Sequence, residues 1–429
     1  MTLDRTRFSV AVFAVAAVLG ATPLGLPSAA AQIRCTPNSV QFPGRPAHPV
    51  KNPIAAALGQ ARPGDVVELG PGTYPGFSIG FNKDAPWNAR TSGGRPGLPV
   101  TVRGVGGLVR IDPRGGGDTI ALSQAHKNGF FRFENLEIVA GSRAAIMFFK
   151  AGGDQVYEGF EFFDCDIDGG YDHVAKRGRN SKWGVWGHSL KDFVFAGRMR
   201  PATVTDIRRE HAFYLQNPKG DITLENIHAA RLGRTFCQFT ARPGDGPPGV
   251  GTITVRNCRV EDACIAEGDG YKGGSAFTVA GRLTGDLIFE DNSYHAGMTP
   301  GIARLTRPGQ PYGTGAFVAW DGGGQPNGRL VLRNNTFVMA PGTGDRPVVS
   351  IGGCREVRIE GNNRFTSGGR VPCLELDPVR EDMPEAPGRL RNTANGEVYL
   401  SPTATLEGGV EIRGRKATPE DLAALAVMR

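Results

Sequence analysis

Near the middle of this 429-residue chain, residues able to move protons and hold charge recur at matching spacings. Trp186 and His188 stand two apart, Tyr214 and Gln216 likewise, and Gln238 follows after a similar interval. Arg208, Arg209, Glu210 and His211 run into Tyr214, while Arg231, Arg234 and Arg242 surround Gln238. Such a set suits removal of a proton beside a carboxylate. That reaction needs a cation to neutralise the carboxylate, a base for the proton and an acid for the departing oxygen. Arg234 or Arg242 can be the clamp, His211 or His188 the base, and Tyr214 the acid. Trp186, Tyr214 and Trp320 offer flat rings on which the C–H face of a sugar packs. Arg209, Gln216, Gln238 and Arg242 would add polar contacts. An aromatic ladder that only stabilises a sheet face would use the same rings.

A second group is Asp164-Cys-Asp-Ile-Asp168. Asp166 and Asp168 project to one side of a strand, and their hard oxygens suit Ca²⁺. Asp172 and His173 follow closely enough to complete such a site. A solvated strand end would carry the same residues. Glycoside hydrolysis would need two carboxylates facing each other across the bond. Only Glu210, Asp269 and Asp321 lie near the first group.

What positions these residues is a repeat: apolar, any, apolar, any, then Asn, Asp or Gly. It reads Val100-Thr-Val-Arg-Gly104, Phe131-Arg-Phe-Glu-Asn135, Phe160-Glu-Phe-Phe-Asp164 and Phe193-Val-Phe-Ala-Gly197. It continues as Ile222-Thr-Leu-Glu-Asn226, Ile253-Thr-Val-Arg-Asn257, Leu287-Ile-Phe-Glu-Asp291, Leu330-Val-Leu-Arg-Asn334 and Val357-Arg-Ile-Glu-Gly361. The turn residues are 31, 29, 33, 29, 31, 34, 43 and 27 positions apart. Alternation at period two sends one side of each strand inward. Asn, Asp and Gly tolerate left-handed backbone angles, so one such residue bends the chain sharply. A coil of this kind buries its inward residues only against stacked copies of itself. The pattern predicts an all-β fold, a single right-handed parallel β-helix solenoid of about nine or more coils.

A second strand precedes most copies, as in Ala145-Ile-Met-Phe, Gly184-Val-Trp-Gly, Ala212-Phe-Tyr-Leu, Phe236-Cys-Gln-Phe and Ala316-Phe-Val-Ala. By alternation its outward positions are Ala121, Met147, Trp186, Tyr214, Gln238, Thr278 and Val318. Two residues on come Ser123, Phe149, His188, Gln216, Thr240, Ala280 and Trp320. The middle coils are polar and aromatic where the ends are bland. The 43-residue interval holds a Gly/Pro-rich inserted loop near Pro300 to Gly315. Short helices cap both ends, one opened by Asn52-Pro53 and one by Thr418-Pro.

Arg5 and Arg7, an apolar run from Phe8 to Leu19 and Ala29-Ala30-Ala31 form a secretory signal peptide over residues 1–31. The run is shorter than the ~20 residues a membrane span needs, so no stable membrane insertion is expected. Residues 32–62 then make an N-terminal segment with its helix, 63–378 the β-helix, and 379–429 a C-terminal extension. Location is secreted or periplasmic. The net charge is +7, and a modest positive balance on an exported protein suits a polyanion. No dense Lys/Arg stripe points to nucleic acid. Seven cysteines in an oxidising compartment permit disulfides, with Cys258–Cys264 and Cys354–Cys373 close in sequence. Cys165 and Cys237 read as buried small hydrophobes.

The entry segment, a helix followed by Pro63-Gly64-Asp65-Val66-Val67-Glu68-Leu69 and Gly72-Thr73-Tyr74, resembles that of the pectin lyase-like superfamily. Arg333-Asn334-Asn335-Thr336-Phe337 resembles its coil repeats, and the likeness covers most of residues 50–375. It implies a carbohydrate-active protein: a polysaccharide lyase, hydrolase or uronate epimerase, or a binding or adhesion protein. The Asn-Thr-Asp, Asp-Asp, Gly-His-Gly and Arg-Ile-Lys motifs of polygalacturonase-type hydrolases are absent, as is the Trp-Ile-Asp-His of classical pectate lyases. The expectation is a polysaccharide lyase or C5-epimerase acting on an acidic polysaccharide. The alternatives are a non-catalytic carbohydrate-binding or cell-surface β-helix, and a glycoside hydrolase.

Overall fold

Period-two alternation becomes stacked parallel strands. In Ile222–Glu225 and Ile253–Arg256 the first and third residues are buried, and Ile222 lies on Ile253 and Leu224 on Val255 in register. This is a computed structural model, which describes residues 30–80, 88–123, 129–149, 156–241, 247–265, 274–300, 314–321, 325–340, 347–368, 371–378 and 394–426. Among them run three long sheets of 14, 13 and 11 strands.

Sheet A, with 14 strands, holds the signature strands, from Val100–Gly104 to Cys354–Glu360. Sheet C, with 13, holds the expected second set, including Trp183–His188, Phe213–Gln216 and Cys237–Ala241. Between them comes a third face, sheet B, of short strands such as Ile227–Ala230 that follow each turn residue. The chain passes A, B and C in each coil, so the 11 strands of sheet B number the coils. The fold is the expected parallel β-helix.

The turn residues act as their chemistry dictates. Asn135, Asp164, Asn226, Asn257, Asp291 and Asn334 all have φ between 50° and 54°, the left-handed region their short polar side chains tolerate. Gly104 and Gly197 stand at the same place for another reason. A Cβ on Gly104 would come within 2.2 Å of the Asn135 oxygen, and one on Gly197 within 2.7 Å of the Asn226 oxygen, each on the next coil. There the small residue permits close approach between coils.

Inside, like residues stack on like. The Phe133 and Phe162 rings lie 4.8 Å apart at 11°, and those of Phe337 and Phe365 5.6 Å apart at 11°. At the A-to-B corner of the later coils, Asn292, Asn335 and Asn363 form a buried ladder. Nδ2 of Asn292 donates to Oδ1 of Asn335 at 3.1 Å, and Nδ2 of Asn335 to Oδ1 of Asn363 at 3.2 Å. Each amide also donates to an interior carbonyl: Val255, Phe289 and Leu332 respectively. Buried amides are tolerated because every donor and acceptor finds a partner.

Both capping helices are present. Pro53–Leu58 has Asn52 as N-cap, and Pro419–Leu425 has a capping box between Thr418 and Asp421. The coils continue past residue 378 into the expected C-terminal extension. Glu397–Leu400, Thr405–Glu407 and Val410–Ile412 pair in parallel with the preceding coil. At the other end Gln32–Thr36 adds to sheet A beside Val66–Leu69.

The cysteine expectation is corrected. All seven are buried, and none is joined in a disulfide. Cys258 directs its thiol to the Leu224 and Arg256 carbonyls, Cys354 to Gly352 and Cys373 to Gly409. Burial pushes the Cys165 and Cys258 thiols up to about 12, so they behave as small hydrophobes. Residues 1–29 of the expected signal peptide, and 301–313 of the inserted loop, lie outside the described residues. Among the described residues no helix is long and apolar enough to cross a membrane.

Candidate functional site

The outer face of sheet C carries the residues with which the sequence reading began. Parallel register sets Ser78, Ala121, Met147, Trp186, Tyr214, Gln238, Thr278 and Val318 in one row along the rod. The adjacent row runs His188, Gln216, Thr240, Ala280 and Trp320. Strands at ~4.8 Å spacing put neighbouring rungs in side-chain contact.

Contact is what the middle rungs make. Trp186 Nε1 donates to Gln216 Oε1 at 3.1 Å, and Gln216 Nε2 donates to the Tyr214 hydroxyl oxygen at 3.1 Å. Two rings and one amide thus form a single hydrogen-bonded unit across two coils. With its oxygen accepting from Gln216, the Tyr214 hydroxyl can direct its own hydrogen elsewhere. Trp183, which the outward-position pattern passed over, stacks on Trp186 at 5.9 Å and 27°. Its signal in the sequence is a second indole three residues before Trp186, on the same strand. Lys182 Nζ lies 5.9 Å over the Trp183 ring.

Beside Tyr214 sits His211, its ring 4.8 Å away and tilted by 32°. His211 is 1% exposed. Its Nδ1 meets Thr235 Oγ1 at 2.5 Å and its Nε2 faces the Glu210 carboxylate at 3.5 Å. Arg234 reaches the same carboxylate, Nη1 to Oε2 at 3.2 Å. The Arg234 side chain remains 32% exposed where Glu210 is 13%. Tyr214, His211, Glu210 and Arg234 therefore form one contiguous group. His188 joins it from the preceding coil as the diagonal neighbour of Tyr214, with Nδ1 at 2.8 Å from Ser189 Oγ. It is 4% exposed.

The remaining expected residues divide. Gln238 lies in register beside Tyr214 and is nearly buried. Arg209 flanks the group, its backbone N–H donating to Ser181 at 3.2 Å. Trp320 is in the row of Gln216 but three strands further along, about 14 Å at the usual spacing, so it is not part of the cluster. Arg242 and Asp269 lie outside the described residues.

Asp166 and Asp168 point to one side of sheet B, as alternation required. They do not fit calcium. Asp166 receives Arg200 Nη1 and Nη2 at 2.9 and 2.6 Å and Thr203 Oγ1 at 2.7 Å. Asp168 receives Arg110 Nη2 at 3.1 Å and the Gly170 N–H at 2.8 Å. Asp172 caps the backbone of Val174 and Ala175, and His173 Nε2 meets the Ile207 carbonyl. Among the described residues no group of three or more His, Cys, Asp or Glu could hold a metal ion.

No family model matches the chain, and no curated protein matches its sequence. Among solved structures it is similar to an alginate lyase from Paenibacillus sp. str. FPU-7, at 14% identity and a TM-score of 0.44, over 89% of this chain and 99% of that one. It is similar to the pectate lyase Pel9A at 11% identity and a TM-score of 0.32, over 80% of this chain and 75% of that one. ORF18 of Geobacillus virus E2 aligns at 10% identity and a TM-score of 0.36, over 85% of this chain and 57% of that one. Likeness this distant leaves the chemistry of the site to be argued from its own residues.

Proposed function

We propose that this is an exported carbohydrate-active protein that acts on an acidic polysaccharide by β-elimination, or by C5 epimerisation, which begins with the same proton abstraction. The observation that carries the reading is the contiguous group Trp186–Gln216–Tyr214 with His211, Glu210 and Arg234 on one outer face. Trp186 and Trp183 stack the sugar, and Arg234 faces its carboxylate. His188 takes the C5 proton, the C4–C5 double bond forms, and Tyr214 protonates the departing O4. In epimerisation the proton returns to the opposite face of C5 instead. His211 is engaged at both ring nitrogens, by Thr235 and Glu210, and these contacts suit it to positioning Tyr214 and Glu210. Among the described residues hydrolysis by paired carboxylates is poorly served, since Glu210 is held by Arg234 and Asp321 is fully buried.

A second reading, carbohydrate binding without chemistry, is favoured by the burial of both histidines: stacking on Trp183 and Trp186 needs no rearrangement, whereas proton transfer through His188 does. The deciding experiment incubates the purified protein with pectate, alginate and other polyuronates. It follows the ultraviolet absorbance of unsaturated uronate and, by NMR, inversion at C5. One of the two products is expected. Retention of a polyuronate with neither product would replace the catalytic reading with the binding one.

A further inference from the structure

On the same outer face, three strands before Tyr214, the floor drops away. The row that carries Trp186 and Tyr214 in the middle carries Ser78 and Ala121 in the first coils. Gly116 and Gly117 form the neighbouring wall, and a Cβ on Gly117 would meet nothing within 4 Å. The result is a cleft of about 540 Å³ between the N-terminal capping segment and the first three coils. Its lining is largely apolar, with Lys51, Asp118 and Arg143 as the charged residues. Arg143 lies 4.8 Å over the Phe149 ring and grips Asp118 with two guanidinium nitrogens, Nε to Oδ1 at 2.8 Å. Asp118 is thereby neutralised at the wall, its side chain 6% exposed. Exposed Lys51 stands at the rim.

The opposite end of the row has the other sign. Past Val318 come Ser350, Glu375 and Glu411, in register on successive strands. With Lys416 in register opposite Glu411, that end carries two carboxylates against one ammonium, whereas the cleft has Lys51 and Arg143 against Asp118, the balance that favours a polyanion. Charge thus biases an acidic chain lying along sheet C toward the N-terminal coils. Ala121 and Tyr214 are three strands apart, about 14 Å, a distance that a short oligosaccharide spans and a single sugar does not.

We propose that this cleft is a distal subsite for a uronate-containing oligosaccharide whose further residues reach Trp186 and Tyr214, so that binding strengthens with chain length. The proposal rests on the acidic-polysaccharide reading above but not on the chemistry at Tyr214. The test uses the full mature protein, with dimers and hexamers of galacturonate and of mannuronate as probes. Affinities are measured by calorimetry for the wild type, for Gly117→Phe, which fills the cleft, and for Lys51→Ala, which leaves its shape intact. In the wild type one hexamer should bind at least about tenfold more tightly than its dimer. That advantage should be lost in Gly117→Phe and reduced in Lys51→Ala, with dimer affinity unchanged. Equal affinity for hexamer and dimer in the wild type, no binding of either, or a hexamer advantage that survives both folded variants would overturn the subsite. A length-dependent affinity abolished by Gly117→Phe in a protein that makes no unsaturated or epimerised product would sink the catalytic reading and leave the subsite standing.

Discussion

Sheets A and C share one pleat and one strand spacing, yet their outer faces are used in opposite ways. On sheet A, outward residues pair across strands as ions. Arg103 meets Glu134 at 2.6 Å, Arg132 meets Glu161 at 2.7 Å, and Arg333 lies between Glu290 at 3.0 Å and Glu360 at 2.8 Å. On the middle rungs of sheet C the contacts are neutral: indole to amide, amide to phenol. The charges there stand at the flank, where Arg234, Glu210 and His211 meet. Charges on sheet A are answered by the neighbouring strand, whereas sheet C keeps ring faces and a phenol directed outward. A solenoid face built of paired charges is scaffold; one that presents flat rings is suited to a ligand.

The sharpest way to break that contrast is Tyr214→Phe. The substitution removes the hydroxyl and keeps the ring. If Tyr214 is the acid, product formation from the responsive polyuronate should fall on the order of 10²–10⁴-fold, with the thermal midpoint essentially unchanged. Turnover equal to wild type would make the ring-and-amide row of sheet C a stabilising ladder, no different in kind from the ion pairs of sheet A.

A second variant separates both faces from the corner that supports them. Asn335→Ala removes an amide that serves three coils. It leaves the Asn292 N–H without its 3.0 Å acceptor and the Phe289 carbonyl without its 2.9 Å donor. Each orphaned buried group costs about 1–3 kcal/mol, so a drop in thermal midpoint of several degrees is expected. Turnover below the transition should be kept, because the hydrogen bonds of Asn335 run to Asn292, Phe289 and Asn363 and not to sheet C. An unchanged midpoint would move the scaffold's stability from the corner to the sheet faces.

How much of this was legible in the sequence follows from the range of the interactions involved. The coil was legible because its cause is local: alternation fixes which side faces in, and an Asn or Asp at φ near 50° fixes the bend. The rows on sheet C followed from the same alternation, so Trp186, Tyr214 and Gln238 fell on one face as expected. Sheet B was missed because strands such as Arg259–Glu261 and Ser293–His295 have a single inward residue, so no alternation registers. The closure of His211 was illegible too, since Thr235 reaches it from the next coil, 24 positions on. Nor could sequence show that Arg200 and Arg110 already occupy Asp166 and Asp168, because those partners are separated by 34 and 58 positions. The cleft was hidden for the converse reason: it is made by what Ser78, Ala121 and Gly117 lack.

The smallest expected effect tests the sheet A half of the contrast. Arg333 bridges two carboxylates from adjacent strands, and its side chain is 41% exposed. An ion pair so open to solvent contributes only about 0–1 kcal/mol, because water screens the attraction and the long side chain loses freedom. Arg333→Ala should therefore shift the denaturation midpoint slightly at low salt. The shift should shrink at high salt, where Glu290 and Glu360 no longer feel each other across the vacated rung. Turnover should be unaffected, since the substitution lies on the face turned away from Tyr214. A loss well above 2 kcal/mol, or one that salt does not reduce, would mean that the sheet A ladder holds the coils in register. In that case the two faces would differ in what they bind and also in how much of the fold rests on them.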